Sequence, residues 1–189
     1  MKHNYNIQEI ISGCLRSEPL YQRALVDQYS GLLYVICKRY LGDTESAKDI
    51  MQDSLIRIFQ NLNKYQDSKG AFESWISTIT IRQCLTKLKK KKLNMVPLDH
   101  KDADTSYDIE EDILSNYDID FLVNMIAELP DIYKAVFNLI AIDGYSHKEV
   151  SDLLGITLGT SRARLNRAKK ILKDKVLIIQ KNESWVNTI

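Results

Sequence analysis

Apolar residues recur every three or four positions along two long stretches of this 189-residue chain, and the segment between them has no such rhythm. A helix of 3.6 residues per turn gathers such positions onto one face, so each stretch reads as a set of amphipathic helices with its own core. Only seven glycines and three prolines interrupt the chain, which predicts long helices and few turns. The length allows one ordinary core or two small ones, and the loss of periodicity chooses two. The expected architecture is all-α: a helical domain over 1–92, an acidic, flexible linker over 93–118, and a second helical domain over 119–189.

The formal net charge of +1 conceals a segregation along the chain. Residues 1–92 carry 15 Lys and Arg against 9 Asp and Glu, residues 93–120 carry 1 against 9, and residues 121–189 carry 10 against 7. Two basic blocks thus flank an acidic one, the pattern expected where both blocks meet nucleic acid and the connector is repelled by polyphosphate. An apolar fraction of 44% and a charged fraction of 27% fit a folded, soluble chain. No run of about 18 apolar residues is present, and MKHNYNIQEI lacks a signal peptide's apolar block. A cytoplasmic protein with no direct membrane insertion is expected.

In the first block a helix is predicted from Pro19 to about Leu41, closed by Gly42, with Tyr21, Leu25, Tyr29, Leu32, Leu33, Ile36 and Tyr40 as its buried stripe. Asp43 or Thr44 caps a second helix, whose stripe is Ala47, Ile50, Met51, Leu55, Ile58 and Leu62, before a loop at Tyr65–Gly70. A third runs from about Phe72 to Lys92. Its apolar start, Phe72, Trp75, Ile76 and Ile79, gives way to the polar and cationic Thr80, Arg82, Gln83, Thr86, Lys87 and Lys89–Lys92. In the second block helical spacing runs through Ile119–Ala127, breaks at Leu129-Pro130, and resumes through Tyr133, Val136, Phe137 and Ile140 to a turn at Asp143-Gly144.

The string SHKEVSDLLGITLGTSRARLNRAKK, residues 146–170, has the layout of a helix-turn-helix. Ser146 and Glu149 form a capping box, Val150, Leu153 and Leu154 the buried face, Gly155 the turn, Ile156 the plug between helices and Thr157 the second cap. On the second helix Leu165, Ala168, Ile171 and Leu172 point inward. Thr160, Arg162, Arg164, Asn166, Arg167, Lys169 and Lys170 remain for the open surface. Short polar groups near the start and long cations further along suit a helix that meets base edges and phosphates in a major groove. A solvated basic face on an ordinary helix is the alternative.

With LPDIYKAVF (129–137) and Gly144-Tyr145 before it, this string resembles region four of extracytoplasmic-function sigma factors of the sigma-70 family. The N-terminal block is similar to region two of the same family, through Tyr29, Leu33, Leu41-Gly42-Asp43, Ala47, Asp49, Gln52-Asp53, Arg57, and then Phe72, Trp75-Ile76 and Ile79. The resemblance implies a region-two helical bundle over 1–92 that binds core RNA polymerase and melts and holds the minus-ten promoter DNA, and a region-four helix-turn-helix over 119–189 that reads the minus-thirty-five element. It implies docking on the polymerase clamp through Asp49, Gln52, Asp53 and Arg57. It places Tyr65, Gln66, Lys69 and Phe72 around an extruded base, and Trp75, Thr80, Arg82, Gln83 and Lys87 along the single strand. It gives Thr160, Arg162, Asn166 and Arg167 to bases and Arg164 and Lys169 to phosphates. Core polymerase and promoter DNA are the implied partners, with an anti-sigma factor as a further one.

Alternatives from the residues alone stay open. An Asp53–Arg57 pair could be a salt-bridged solvent face, and Phe72 and Trp75 could be plain core. The chain departs from the family at Ile81-Arg82, where Arg-Asn is frequent, and at Ser161, where an apolar residue is usual. An ordinary helix-turn-helix regulator would bind duplex DNA without polymerase. An enzyme would need a constellation that His3, His100 and His147 do not form. Cys14, Cys37 and Cys84 stand far apart with no CxxC, and read as three small buried side chains. No catalytic residue, metal site or cofactor is expected.

Overall fold

The computed structural model describes residues 5–91 and 118–186, and every regular element among them is helical. The predicted linker, apart from Asp118, and Lys92 of the cationic run lie outside the described residues. The chain divides into two compact units at Leu93–Asn94.

The first unit holds four helices: α1 (Ile7–Leu15), α2 (Pro19–Leu41), α3 (Thr44–Asn61) and α4 (Phe72–Lys91). Local chemistry sets their ends. Pro19 opens α2, where a missing N–H costs nothing, and Gly42 closes it at φ 85°. The Asp43 carboxylate accepts from the Ser46 amide at 2.7 Å and caps α3. Two 3-10 turns, Leu62–Lys64 and Asp67–Lys69, carry the chain to α4. α2 packs on α1, α3 and α4, and its stripe is buried as expected at Leu25, Tyr29, Leu33, Ile36 and Tyr40, with Leu32 left exposed.

Helix α1 has no counterpart in the sequence reading. Its signal is present all the same: Asn6 and Glu9 make a reciprocal capping box, and Ile10, Ile11 and Cys14 turn inward to join the core of α2 and α3. The helix spans nine residues, too short for periodicity alone to identify it.

The second unit holds α5 (Ile119–Ala127), α6 (Asp131–Phe137), α7 (His147–Leu154) and α8 (Leu158–Val186). Asp118 caps α5 by accepting from the Phe121 amide. A π-helical turn, Asn138–Ile142, prolongs α6, and buried Asn138 donates its amide to the Lys134 carbonyl. Lys134 is itself buried, held by Asp131 at 3.1 Å, so its charge is paired where an unpaired one would be costly. α6 and α7 both pack on α8. The capping box of Ser146 and Glu149 is formed, and Gly155 ends α7 in the left-handed conformation at φ 67°. α8 continues well past residue 173, where the predicted motif stops.

Ser161 turns out to be a packing position. It is fully buried and its Oγ lies 2.9 Å from His147 Nδ1, so a hydrogen bond joins α7 to α8. Burial, with the Arg162 charge as a second cause, lowers the His147 pKa.

Two outcomes follow from this packing. At Gly13 a Cβ would overlap Cγ and Cδ2 of Tyr21 and come within 2.7 Å of its Cβ, so Gly13→Ala should destabilise the first unit by about 1–3 kcal/mol in urea denaturation. Because the folded His147 pKa is depressed, its stabilising contribution is complete above the unfolded value of about 6.5 and is lost as pH falls through the folded one. The difference in melting temperature between the parent and His147→Gln should therefore shrink as pH is lowered from 7.5 towards 5, and a constant difference would show that His147 does not titrate against the fold.

Candidate nucleic-acid interface

Each unit presents a polar helical face backed by a rigid core. On α3, Ala47, Ile50, Ser54, Leu55 and Ile58 are buried, which turns Asp49, Gln52, Asp53 and Arg57 to solvent, and all four are exposed. Asp53 and Arg57 stand four residues apart but form no ion pair among the described residues. Exposed Ile56 belongs to the same face, and with Pro19, Val26 and Phe59 it lines an apolar groove between α2 and α3 that periodicity did not reveal. Its signal was Ile56, an aliphatic residue off the buried stripe.

The loop before α4 and the first turns of that helix build an aromatic cluster. Tyr65 meets Phe72 edge-on at a centroid distance of 5.1 Å and Trp75 at 5.6 Å, and Tyr29 closes on Phe72 from below at 5.3 Å. Such edge and tilted contacts suit ring quadrupoles. The Tyr65 hydroxyl donates to the Gly70 carbonyl at 3.1 Å and ties the loop to the helix start. Phe72 is buried and forms the floor; Tyr65 and Trp75 are half-buried at the edge, and Gln66 and Lys69 are exposed on the loop. Burial, then the nearby Glu73, raises the Tyr29 pKa and keeps that phenol neutral.

Along α4, Arg82 and Lys87 are exposed and Gln83 is half-buried. Thr80 is not among them. It is fully buried and its hydroxyl donates to the Ile76 carbonyl at 2.9 Å, so the expectation that it lines a strand path is corrected. A threonine inside a helix often satisfies its hydroxyl on the carbonyl one turn back, and that makes it acceptable to a core. Ile81 beside it is also buried, so the family departure at this position serves packing.

In the second unit α8 presents Arg162 exposed and Thr160, Asn166, Arg167 and Lys169 half-exposed. The Thr157 hydroxyl caps α8 by accepting from the Thr160 amide at 3.1 Å, and the two threonine hydroxyls lie 2.9 Å apart. Arg164 departs from its expected place on the open surface. Its Nε and Nη1 are buried and meet no hydrogen-bond partner among the described residues. Desolvation lowers its pKa against a smaller opposing effect of Tyr133. Its stem and part of its guanidinium are shut away from solvent. Among the described residues no cluster of His, Cys, Asp or Glu could hold a metal ion, and no helix is long and apolar enough to cross a membrane.

Comparison with known proteins places these two faces in one context. The family model for Sigma-70 region 2 matches residues 25–93, and that for Sigma-70, region 4 matches residues 122–172, together well over half of the chain. The ECF RNA polymerase sigma factor SigW of Bacillus subtilis is 29% identical over 164 residues, which cover 80% of this chain and 87% of that protein. SigE of Mycolicibacterium smegmatis, another ECF RNA polymerase sigma factor, is 29% identical over 154 residues, and the match spans 79% of this chain but 59% of that protein's length. A solved structure of the sigma factor RpoE in complex with the anti-sigma factor NepR from Bartonella quintana overlays with a TM-score of 0.49 at 15% identity, over 83% of this chain and 96% of that one. With region 2 and region 4 matched in order on one chain, each on its own compact unit, the protein belongs to the sigma-70 family, in its extracytoplasmic-function group.

Proposed function

We propose that this sigma factor divides promoter-directed initiation between its two units, the first holding core polymerase and melted minus-ten DNA, the second reading the minus-thirty-five element as duplex. The observation that carries this reading is the exposed strip Asp49, Gln52, Asp53 and Arg57 on α3, within the matched region 2. Two carboxylates, an amide and a guanidinium without side-chain partners among the described residues are ready to form charge-assisted hydrogen bonds with a partner helix, and such bonds fix orientation as well as affinity. The groove at Ile56 and Phe59 supplies apolar contact beside them. An anti-sigma factor would act by covering the same strip.

In the minus-ten reading, Tyr65, Gln66, Lys69 and Trp75 surround an unstacked base above the Phe72 floor, and Arg82, Gln83 and Lys87 guide the strand. Aromatic edges rimmed by donors suit a base, and cations on one helical face suit its phosphates. In the minus-thirty-five reading, Thr160, Arg162, Asn166 and Arg167 meet base edges and Lys169 meets a phosphate, while Arg164, with its Nε and Nη1 buried, is not assigned a phosphate. Each site is weak by itself. Polymerase holds both on one promoter, so linkage supplies affinity and selects spacing. The protein acts without catalysis, metal or cofactor, in the cytoplasm.

A helix-turn-helix regulator acting alone would have no use for the α3 strip. In a pull-down with core RNA polymerase, Asp53→Lys should weaken retention by roughly tenfold or more, about 1.4 kcal/mol, and run-off transcription should fall with it. Arg162→Ala should leave retention unchanged and reduce transcription from promoters with an intact minus-thirty-five element. Undiminished polymerase binding by Asp53→Lys would remove the docking role, and tight duplex binding without polymerase would favour the regulator.

A further inference from the structure

We propose that Cys37 and Cys84 form a latent disulfide site that ties α4 to α2 in the first unit. The two residues are 47 positions apart, and no sequence motif pairs them. The fold nevertheless brings their sulfurs to 3.8 Å, with the Cys84 thiol donating to Cys37 Sγ, and closes both from solvent. Cys14, in the cluster around α1, has no such sulfur neighbour among the described residues. A disulfide bond is about 2.0 Å long, so the sulfurs need to approach by roughly 1.8 Å. Rotation about a cysteine Cα–Cβ bond moves its sulfur on this scale.

The reaction requires a two-electron oxidant, and hydrogen peroxide is of the right class and size. One cysteine, as thiolate, attacks the peroxide oxygen–oxygen bond, which breaks to give a sulfenic acid and, after protonation, one water. The other thiolate then attacks the sulfenic sulfur; the sulfur–sulfur bond forms and hydroxide leaves as a second water. Two thiols and one peroxide thus give one disulfide and two waters, and a dithiol reductant reverses the bridge by becoming a disulfide itself. In the closed bundle Cys84 is held strongly protonated by its hydrogen bond to Cys37 and by burial. The chemistry therefore waits for local opening at α4, where Ile81, Cys84, Leu85 and Leu88 form the inner face.

Once formed, the bridge joins positions 47 apart in the sequence and restricts the unfolded chain. It also fastens the helix that carries Arg82, Gln83 and Lys87 to the centre of the bundle.

The test treats the full-length protein in native buffer with hydrogen peroxide, blocks remaining thiols, digests it and maps the peptides by mass spectrometry. The expected product is a peptide pair joined through Cys37 and Cys84, lighter by two hydrogens than the reduced pair, with Cys14 still blocked as a free thiol. The melting temperature of the oxidised protein should rise by more than about 10 °C and return on treatment with dithiothreitol. Cys14→Ser should keep both effects. Cys37→Ala and Cys84→Ala should each abolish them, and either variant suffices if the other does not fold. A bridge that forms only in urea, sulfinic or sulfonic acid on an unbridged cysteine, or an oxidised form that melts lower than the reduced one would each overturn the proposal.

Discussion

Leu25, Leu33 and Tyr40 are shut away from water because α2 is flanked by α1, α3 and α4 at once, and the rest of the first unit hangs on that central helix. Each fully buried aliphatic or aromatic side chain contributes on the order of 1.5–3 kcal/mol. A helix touched on three sides loses all of those contributions together if it moves. Its burial also explains why the flanking helices are free to show polar faces: α3 and α4 each need only one apolar stripe to hold α2. The opposite stripe carries Asp49, Gln52, Asp53 and Arg57 on one helix and Arg82 and Lys87 on the other.

The polar groups inside the two units obey a single rule, that a buried donor or acceptor finds a partner. Thr80 and Ser54 bond back to the carbonyl one turn earlier, Asn138 does the same through its amide, Lys134 pairs with Asp131, and Ser161 meets His147 across two helices. The last contact differs from the others, because it joins separate elements and so sets how α8 sits on α7. The exception is Arg164, whose Nε and Nη1 have no such partner among the described residues.

Much of this was legible in the residues. The starts and ends of α2, α3, α5 and α7 follow from Pro19, Gly42, Asp43, Asp118, Ser146 with Glu149, and Gly155, all of them local devices that depend on a few neighbouring atoms. Exposure of the α3 strip followed from helical phase alone. Thr80 and Arg164 lie elsewhere than expected for a shared reason. Each is polar, yet a threonine can satisfy its hydroxyl on its own helix and an arginine can bury its stem. Ser161, which stands where an apolar residue is usual, is buried against a histidine 14 residues away. Helix α1 was missed because a short helix carries too few turns to display a period, although its capping box was there to be seen.

The amino-acid sequence by itself determined the helical class, the division into two cores around an acidic stretch, and the helix-turn-helix, since all of these rest on spacing and on short-range capping. Tertiary structure alone decided which polar residues were spent inside the core, how Tyr65, Phe72 and Trp75 meet in one cluster, and that the sulfurs of Cys37 and Cys84 touch. The reason is geometric. Periodicity reports the face of a helix on which a residue lies, but the partner it meets there is set by the crossing of helices distant in sequence, and no local pattern encodes that crossing.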